Sequence, residues 1–161
     1  MTGSTPIAIE DLATLLAPEA RLLGLDLGSK TIGMALSDVT RRVATPLKTL
    51  KRGKFTADAK AIAEIVEKNQ VGGIVIGLPL NLDGSEGPRA QSTRAFARNL
   101  APHLEVPIAF WDERLSTAAV ERHLIEADAS RKRRSEVIDR MAAAYILQGA
   151  LERLRRLSQR D

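Results

Sequence analysis

The stretch Arg21-Leu-Leu-Gly-Leu-Asp-Leu-Gly28, followed after a Gly28-Ser29-Lys30 turn by Thr31-Ile-Gly-Met-Ala-Leu-Ser37, decides the fold. Leu23, Leu25 and Leu27 alternate as one apolar face of a strand, which places Gly24, Asp26 and Gly28 together on the other. Asp26 is therefore a carboxylate inside a strand, flanked by positions without side chains. Thr31 to Ser37 alternates again as a second strand, and Val43 to Leu50 as a third, where Pro46 favours an edge or a bulge. The opening is an antiparallel meander of three strands.

Outward from this meander the period changes. Thr56 is placed to cap a helix carrying Ala59, Ile62, Ala63, Ile65 and Val66 and ending near Gln70. Gly72 to Gly77 is a short apolar run bounded by glycines, the profile of a strand buried on both faces. A loop from Leu78 to Pro88 precedes a helix over Arg89–Leu100 and a fifth strand over Val106–Trp111. Ser116 or Thr117 opens a further helix to about Glu126, and Ala127 to Arg134 reads as a polar, basic loop. Ser135 then caps a last helix to about Leu157, with Val137, Met141, Ala144, Leu147, Leu151 and Leu154 as its apolar stripe. This order implies an α/β fold: a mixed five-stranded sheet, three strands antiparallel and two parallel, with helices on both faces. Residues 1–20 read as an accessory segment, 21–157 as the domain and 158–161 as a tail.

With 161 residues, 44% hydrophobic and 27% charged, the composition is that of an ordinary water-soluble domain. No apolar run is long enough to cross a bilayer, and Ile9-Glu10-Asp11 interrupts any signal-peptide core, so no membrane partner is expected. The chain has no cysteine, which removes disulfides, thiolate zinc sites and cysteine nucleophiles and fits a cytoplasmic location. The net charge is +4, and residues 131–161 hold nine basic residues against four acidic ones, a surplus of +5. Such a basic stretch suits nucleic acid, although a solvated helix face is the commoner meaning of a single charge run.

Three acids stand at informative places. Asp26 lies within the first strand, where a charge is costly without a partner or metal. Asp112 and Glu113 follow the fifth strand, at the edge where open α/β sheets carry their sites. Asp139 lies one turn into the final helix and shares a face with Ala142, Ala143 and Ile146, which would let the helix approach the sheet closely. Each acid alone is commonly a cap or a surface ion pair. Scattered carboxylates without Cys, and with His103 and His123 lacking ligand spacing, suit Mg²⁺ or Mn²⁺, with Asp26, Glu113 and Asp139 as ligands and Asp112 as a further candidate. For phosphate, the loop Asn81–Pro88 exposes glycine N–H groups before a helix, with Arg89 as a clamp. Lys30, Arg114 and the run Arg131, Lys132, Arg133 and Arg134 complete the candidate nucleic-acid contacts.

Four segments resemble the YqgF (RuvX) family in that family's order. They are Leu25–Asp38, Gly77–Gln91 with its Leu-Pro-Leu-Asn-Leu-Asp-Gly-Ser-Glu-Gly-Pro-Arg core, Asp112-Glu-Arg-Leu-Ser116, and Asp139-Arg-Met-Ala-Ala-Ala-Tyr-Ile-Leu-Gln148. The resemblance covers roughly residues 21–155. It implies an RNase H-like fold related to RuvC and a nuclease, described for the family as acting on the 5′ end of precursor 16S rRNA. It places the acids at Asp26, Glu113 and Asp139. RuvC-like enzymes carry an acid at the end of the fourth strand, where this chain has Gly77-Leu-Pro, and Arg140-Met141 follows Asp139 where a further carboxylate would stand. The expected function is phosphodiester hydrolysis in ribosome biogenesis, with precursor rRNA, branched DNA and ribosomal particles as candidate partners and a monomer or weak homodimer as the unit.

Two other classes compete. Actin-like ATPases and sugar kinases share an Asp-x-Gly opening but need two lobes, and 161 residues supply one. A non-catalytic RNA-binding assembly factor would keep the basic surface without needing the three acids together. Among nucleases, the sequence leaves RNA processing and junction resolution open.

Overall fold

The computed structural model describes residues 5–115 and 131–159, with the side chains of 131–138 outside that description. Its elements are α1 (Ile9–Ala13), β1 (Arg21–Leu27), β2 (Thr31–Ser37), β3 (Ala44–Lys51), α2 (Phe55–Lys68), β4 (Val71–Leu78), α3 (Pro88–Leu100), β5 (Ile108–Asp112) and α4 (Arg131–Ser158). Short 3₁₀ turns occupy Ala101–His103 and Glu113–Leu115. The strands form one sheet in the order β3-β2-β1-β4-β5. β1 pairs antiparallel with β2 and parallel with β4, β2 pairs antiparallel with β3, and β4 pairs parallel with β5. This is the mixed sheet read from the alternation.

The leucines of β1 divide the core as expected. Leu23, Leu25 and Leu27 join Ile74, Ile76, Ile62 and Phe96 under α2 and α3. On the opposite face Leu22, Ala35, Val75 and Trp111 pack against Ala143, Ile146, Leu147 and Leu151 of α4. Ile9 and Leu12 of α1 belong to this second cluster, and the Ile7 N–H donates to the Ile108 carbonyl at 2.8 Å beside a parallel bridge to Ala109. The segment before β1 thus covers the free edge of β5 and the side of α4, which blunts an otherwise open strand.

Pro46 serves both expectations at once. β3 is an edge strand, and the pairing shifts register between Met34, opposite Lys48, and Ala35, opposite Pro46. Two helix starts differ from the sequence reading. α2 starts at Phe55, with Lys54 at its N-cap and no side-chain cap; its amino-terminal approach is closed instead by Asp58, which accepts the Gly53 N–H at 3.1 Å. Thr56 is therefore inside the helix. α4 starts at Arg131 rather than at Ser135, so Arg131–Arg134 form its first turn and not a loop. The helix expected over 116–126, the segment 127–130 and His123 lie outside the described residues. Among the described residues no helix is long and apolar enough to cross a membrane.

Candidate active site

Asp26 lies on the α4 face of β1 with Gly24, and its cross-strand partner on β2 is Gly33. Two bare positions bring α4 down onto this face. A Cβ on Gly24 would stand 2.8 Å from Leu147 Cβ, and one on Gly33 would stand 2.0 Å from the Asp139 main-chain oxygen. The start of the Ala-rich motif therefore rests directly on β2, beside Asp26. Gln148 fixes the same helix farther along: its side chain donates to the Arg42 carbonyl and accepts the Ala44 N–H, both at 2.9 Å.

Glu113 arrives from the other side. Leu25 of β1 is level with Ile76 of β4, so Gly77 is the next position along β4 on the flank of Asp26. A Cβ on Gly77 would meet Ile146 at 2.5 Å and Glu113 Cγ at 3.2 Å. The end of β4 is thus left bare, and the acid that leans across it comes from the turn after β5. Asp26 is 3% exposed and Glu113 8%, while Asp139 is half-buried. The backbone brings the three acids of the sequence reading to one sheet edge: Glu113 over Gly77, Asp26 in the middle and Asp139 over Gly33.

The Asp139 carboxylate accepts the Thr31 hydroxyl. Among the described residues no group of three His, Asp or Glu side chains is gathered so as to hold a metal ion. Oxygen donors of this type match a hard divalent cation. The fit to such an ion rests on donor chemistry and backbone placement, not on side chains already drawn round a point.

Asp112 has a different environment. It alternates with Trp111, which belongs to the α4 cluster, and so projects from the opposite face of the sheet. The Arg114 guanidinium grips its carboxylate through Nη2 at 2.7 Å and Nε at 3.1 Å, and the Arg114 N–H adds a bond at 2.9 Å. These bonds hold the Asp112 carboxyl below the usual carboxylate range and raise the Arg114 guanidinium. The guanidinium also donates to the Leu82 carbonyl at 3.2 Å. Arg114 thus spans β5 and the loop after β4.

That loop is internally bonded. Asn81 N–H donates to Ser85 O at 2.9 Å, Gly84 N–H to Asn81 O at 2.8 Å, and Ser85 N–H to Asp83 Oδ1 at 2.9 Å. Gly84 adopts φ 89°, a conformation that suits glycine. Of the glycine N–H groups read as an anion cradle, that of Gly84 is engaged within the turn, as are those of Asn81 and Ser85. Leu82 at its tip is 96% exposed. Arg89 is exposed in the first turn of α3 and Lys30 in the β1–β2 turn, while the side chains of Arg131–Arg134 lie outside the description. Two features of the site were missed from sequence, Gly33 and Thr31, and Gly77 was noted there only as a strand end without an acid. The Gly33 signal was present, since it falls opposite Asp26 once the hairpin register is drawn.

Residues 20–153 match the model of the family described as RuvX: Holliday junction resolvase. The chain belongs to the RuvX family. A relative from Ruegeria pomeroyi, named "Putative pre-16S rRNA nuclease", is 65% identical over 149 residues, covering 92% of this chain and 97% of that protein. One from Methylocella silvestris with the same name is 58% identical over 151 residues, covering 94% of each. Among solved structures, RuvC of Thermus thermophilus in complex with Holliday junction substrate superposes with TM-score 0.52 at 12% identity, covering 83% of this chain and 94% of that one. The yeast mitochondrial Holliday junction resolvase Ydc2 gives TM-score 0.50 at 11% identity, covering 94% and 86%. At these identities the two structures speak for the RNase H-like fold alone.

Proposed function

We propose that this chain is a metal-dependent nuclease that hydrolyses phosphodiester bonds, acting on the 5′ end of precursor 16S rRNA. The observation that carries the reading is the placement of Asp26 between Glu113, which leans over Gly77, and Asp139, whose backbone rests on Gly33. Asp26 and Glu113 are both buried at this sheet edge, and taking a carboxylate out of water is costly, which favours a role that uses the charge. Membership of the RuvX family and the names of its close relatives support the reaction class and the RNA substrate.

Asp26, Glu113 and Asp139 would hold Mg²⁺ or Mn²⁺, which supplies activation of water and neutralisation of charge at the leaving oxygen. The protein's own contribution is positional. The packed α4 fixes the Asp139 backbone, the Arg114–Asp112 pair anchors the turn that carries Glu113, and Lys30, Arg89 and Arg131–Arg134 offer cations for phosphates. Nucleic acid is the partner and the cytoplasm the compartment in this reading, with ribosomal particles as the carrier of the RNA.

Incubation with Mg²⁺ or Mn²⁺, or with chelator, should show cation-dependent shortening of precursor 16S RNA and slower cutting of a four-way DNA junction. Preferential junction cleavage would move the substrate assignment to branched DNA. Failure to cut either polymer with any divalent cation would contradict the nuclease reading and favour a binding factor.

A further inference from the structure

Between Asp38 and Asp58 the chain has six basic residues (Arg41, Arg42, Lys48, Lys51, Arg52 and Lys54) and no acidic one. Two of the six are structural. Arg41 donates to Ala17 O and Ala20 O at 3.2 and 2.7 Å. Arg52 donates to Gly28 O at 2.6 Å, lies 5.2 Å from the Phe96 ring centroid, and gives its N–H to Lys30 O at 2.9 Å. These bonds lock the end of β3 to the β1–β2 turn. Lys30, Lys51 and Lys54 project from that locked corner, all exposed, and among the described residues none of them makes an ion pair. The acid next in sequence, Asp58, is 5% exposed and turned into the Gly53 N–H, so it does not neutralise them.

The register places this corner beside the acids. Gly33 pairs with both Asp26 and Thr49, so Asp26, Gly33 and Thr49 form one row on the α4 face. Thr31 and Lys51 are opposite one another in the next row of that face, and the Thr31 hydroxyl already bonds Asp139. Strand spacing puts the Lys51 Cα roughly 12 Å from that of Asp26. We infer that Lys51 and Lys54, with Lys30, form a phosphate track that holds the nucleic-acid strand flanking the cleaved bond as it leaves the acids over the end of β3. The inference rests on the nuclease reading above and adds the path of the substrate. Cations on a pinned edge fit a polyanionic backbone, and phosphate contacts position a strand without reading its sequence.

The test uses full-length protein carrying Asp26→Asn, which keeps RNA intact during titration, with and without Lys51→Ala and Lys54→Ala. The probes are a labelled single-stranded precursor 16S rRNA fragment and single-stranded DNA of equal length, titrated between about 50 and 200 mM salt. Loss of two phosphate contacts should make the log Kd against log salt slope shallower by about 1.4 on both probes. A control with Lys60→Ala and Lys68→Ala, exposed lysines of α2, should keep the parent slope. An unchanged slope in the β3 variant, or an equal change in the control, would overturn the track while leaving the nuclease reading intact. A parent protein that binds neither probe would overturn both. All four lysines are exposed, so melting temperatures should coincide and separate lost binding from lost folding.

Discussion

The main-chain oxygen of Asp139 occupies the place where a side chain on Gly33 would begin: a Cβ there would stand 2.0 Å from it. The helix that carries the third acid is therefore seated on the one β2 position opposite Asp26. Gly33→Ala should push α4 off the sheet, at a cost of about 3 kcal/mol or more for overpacking against backbone, and should abolish cleavage. Gly53→Ala is the matched control, because nothing lies within 4 Å of its would-be Cβ. Chemical denaturation of both variants checks this, and equal midpoints would refute the close seating.

Arg114 ties Asp112 to the Leu82 carbonyl. Because the pair is partly exposed, Arg114→Ala should change global stability by less than about 1 kcal/mol. The effect should be local: faster amide hydrogen exchange at Asn81 and Gly84, whose bonds close the turn. Unchanged exchange at those amides would show that the turn holds itself without the arginine.

Asp38 closes the β2–β3 connection by accepting the N–H groups of Arg42 at 2.9 Å and Val43 at 3.0 Å, together with the Thr40 hydroxyl. The Thr40 bond, followed by the two backbone bonds, pulls its carboxyl well below the usual carboxylate range. A lowered folded-state pKa gives stability that is present above the unfolded value, about 3.9, and is lost as pH falls through the folded one. The melting temperature of Asp38→Asn should lie below that of the parent at neutral pH, and the gap should narrow below about pH 4. A gap independent of pH would mean that the charge contributes nothing.

Much of the fold was legible because its signals are local. The period-two alternation of β1 gives the two faces of the sheet directly, and the bare positions at Gly24 and Gly28 single out Asp26. Pro46 indicated an edge or a bulge and marks both. What escaped depends on register or on distant partners. Gly77 matters because Glu113, thirty-six residues later, leans across it, and Arg114 finds its second partner at Leu82. Asp112 and Glu113 are adjacent in sequence, yet Asp112 projects from the face opposite Trp111 and is held by Arg114, while Glu113 leans over Gly77 beside Asp26. The cap signal at Ser135 was outweighed by the run before it, since Arg and Lys are good helix formers and extend α4 to Arg131.

On the nuclease reading, Asp26 is held in the sheet for chemistry and not for folding. Asp26→Asn keeps the size of the side chain and removes a buried charge, and with it the cost of taking that charge out of water. Melting temperature and Mn²⁺-dependent cleavage of precursor 16S RNA should be measured on the same preparation of parent and variant. The expected result is a melting temperature equal to or above that of the parent, with cleavage reduced to background. A variant that melts well below the parent while its folded fraction cleaves at the parent rate would make Asp26 a structural residue and rule out its catalytic role.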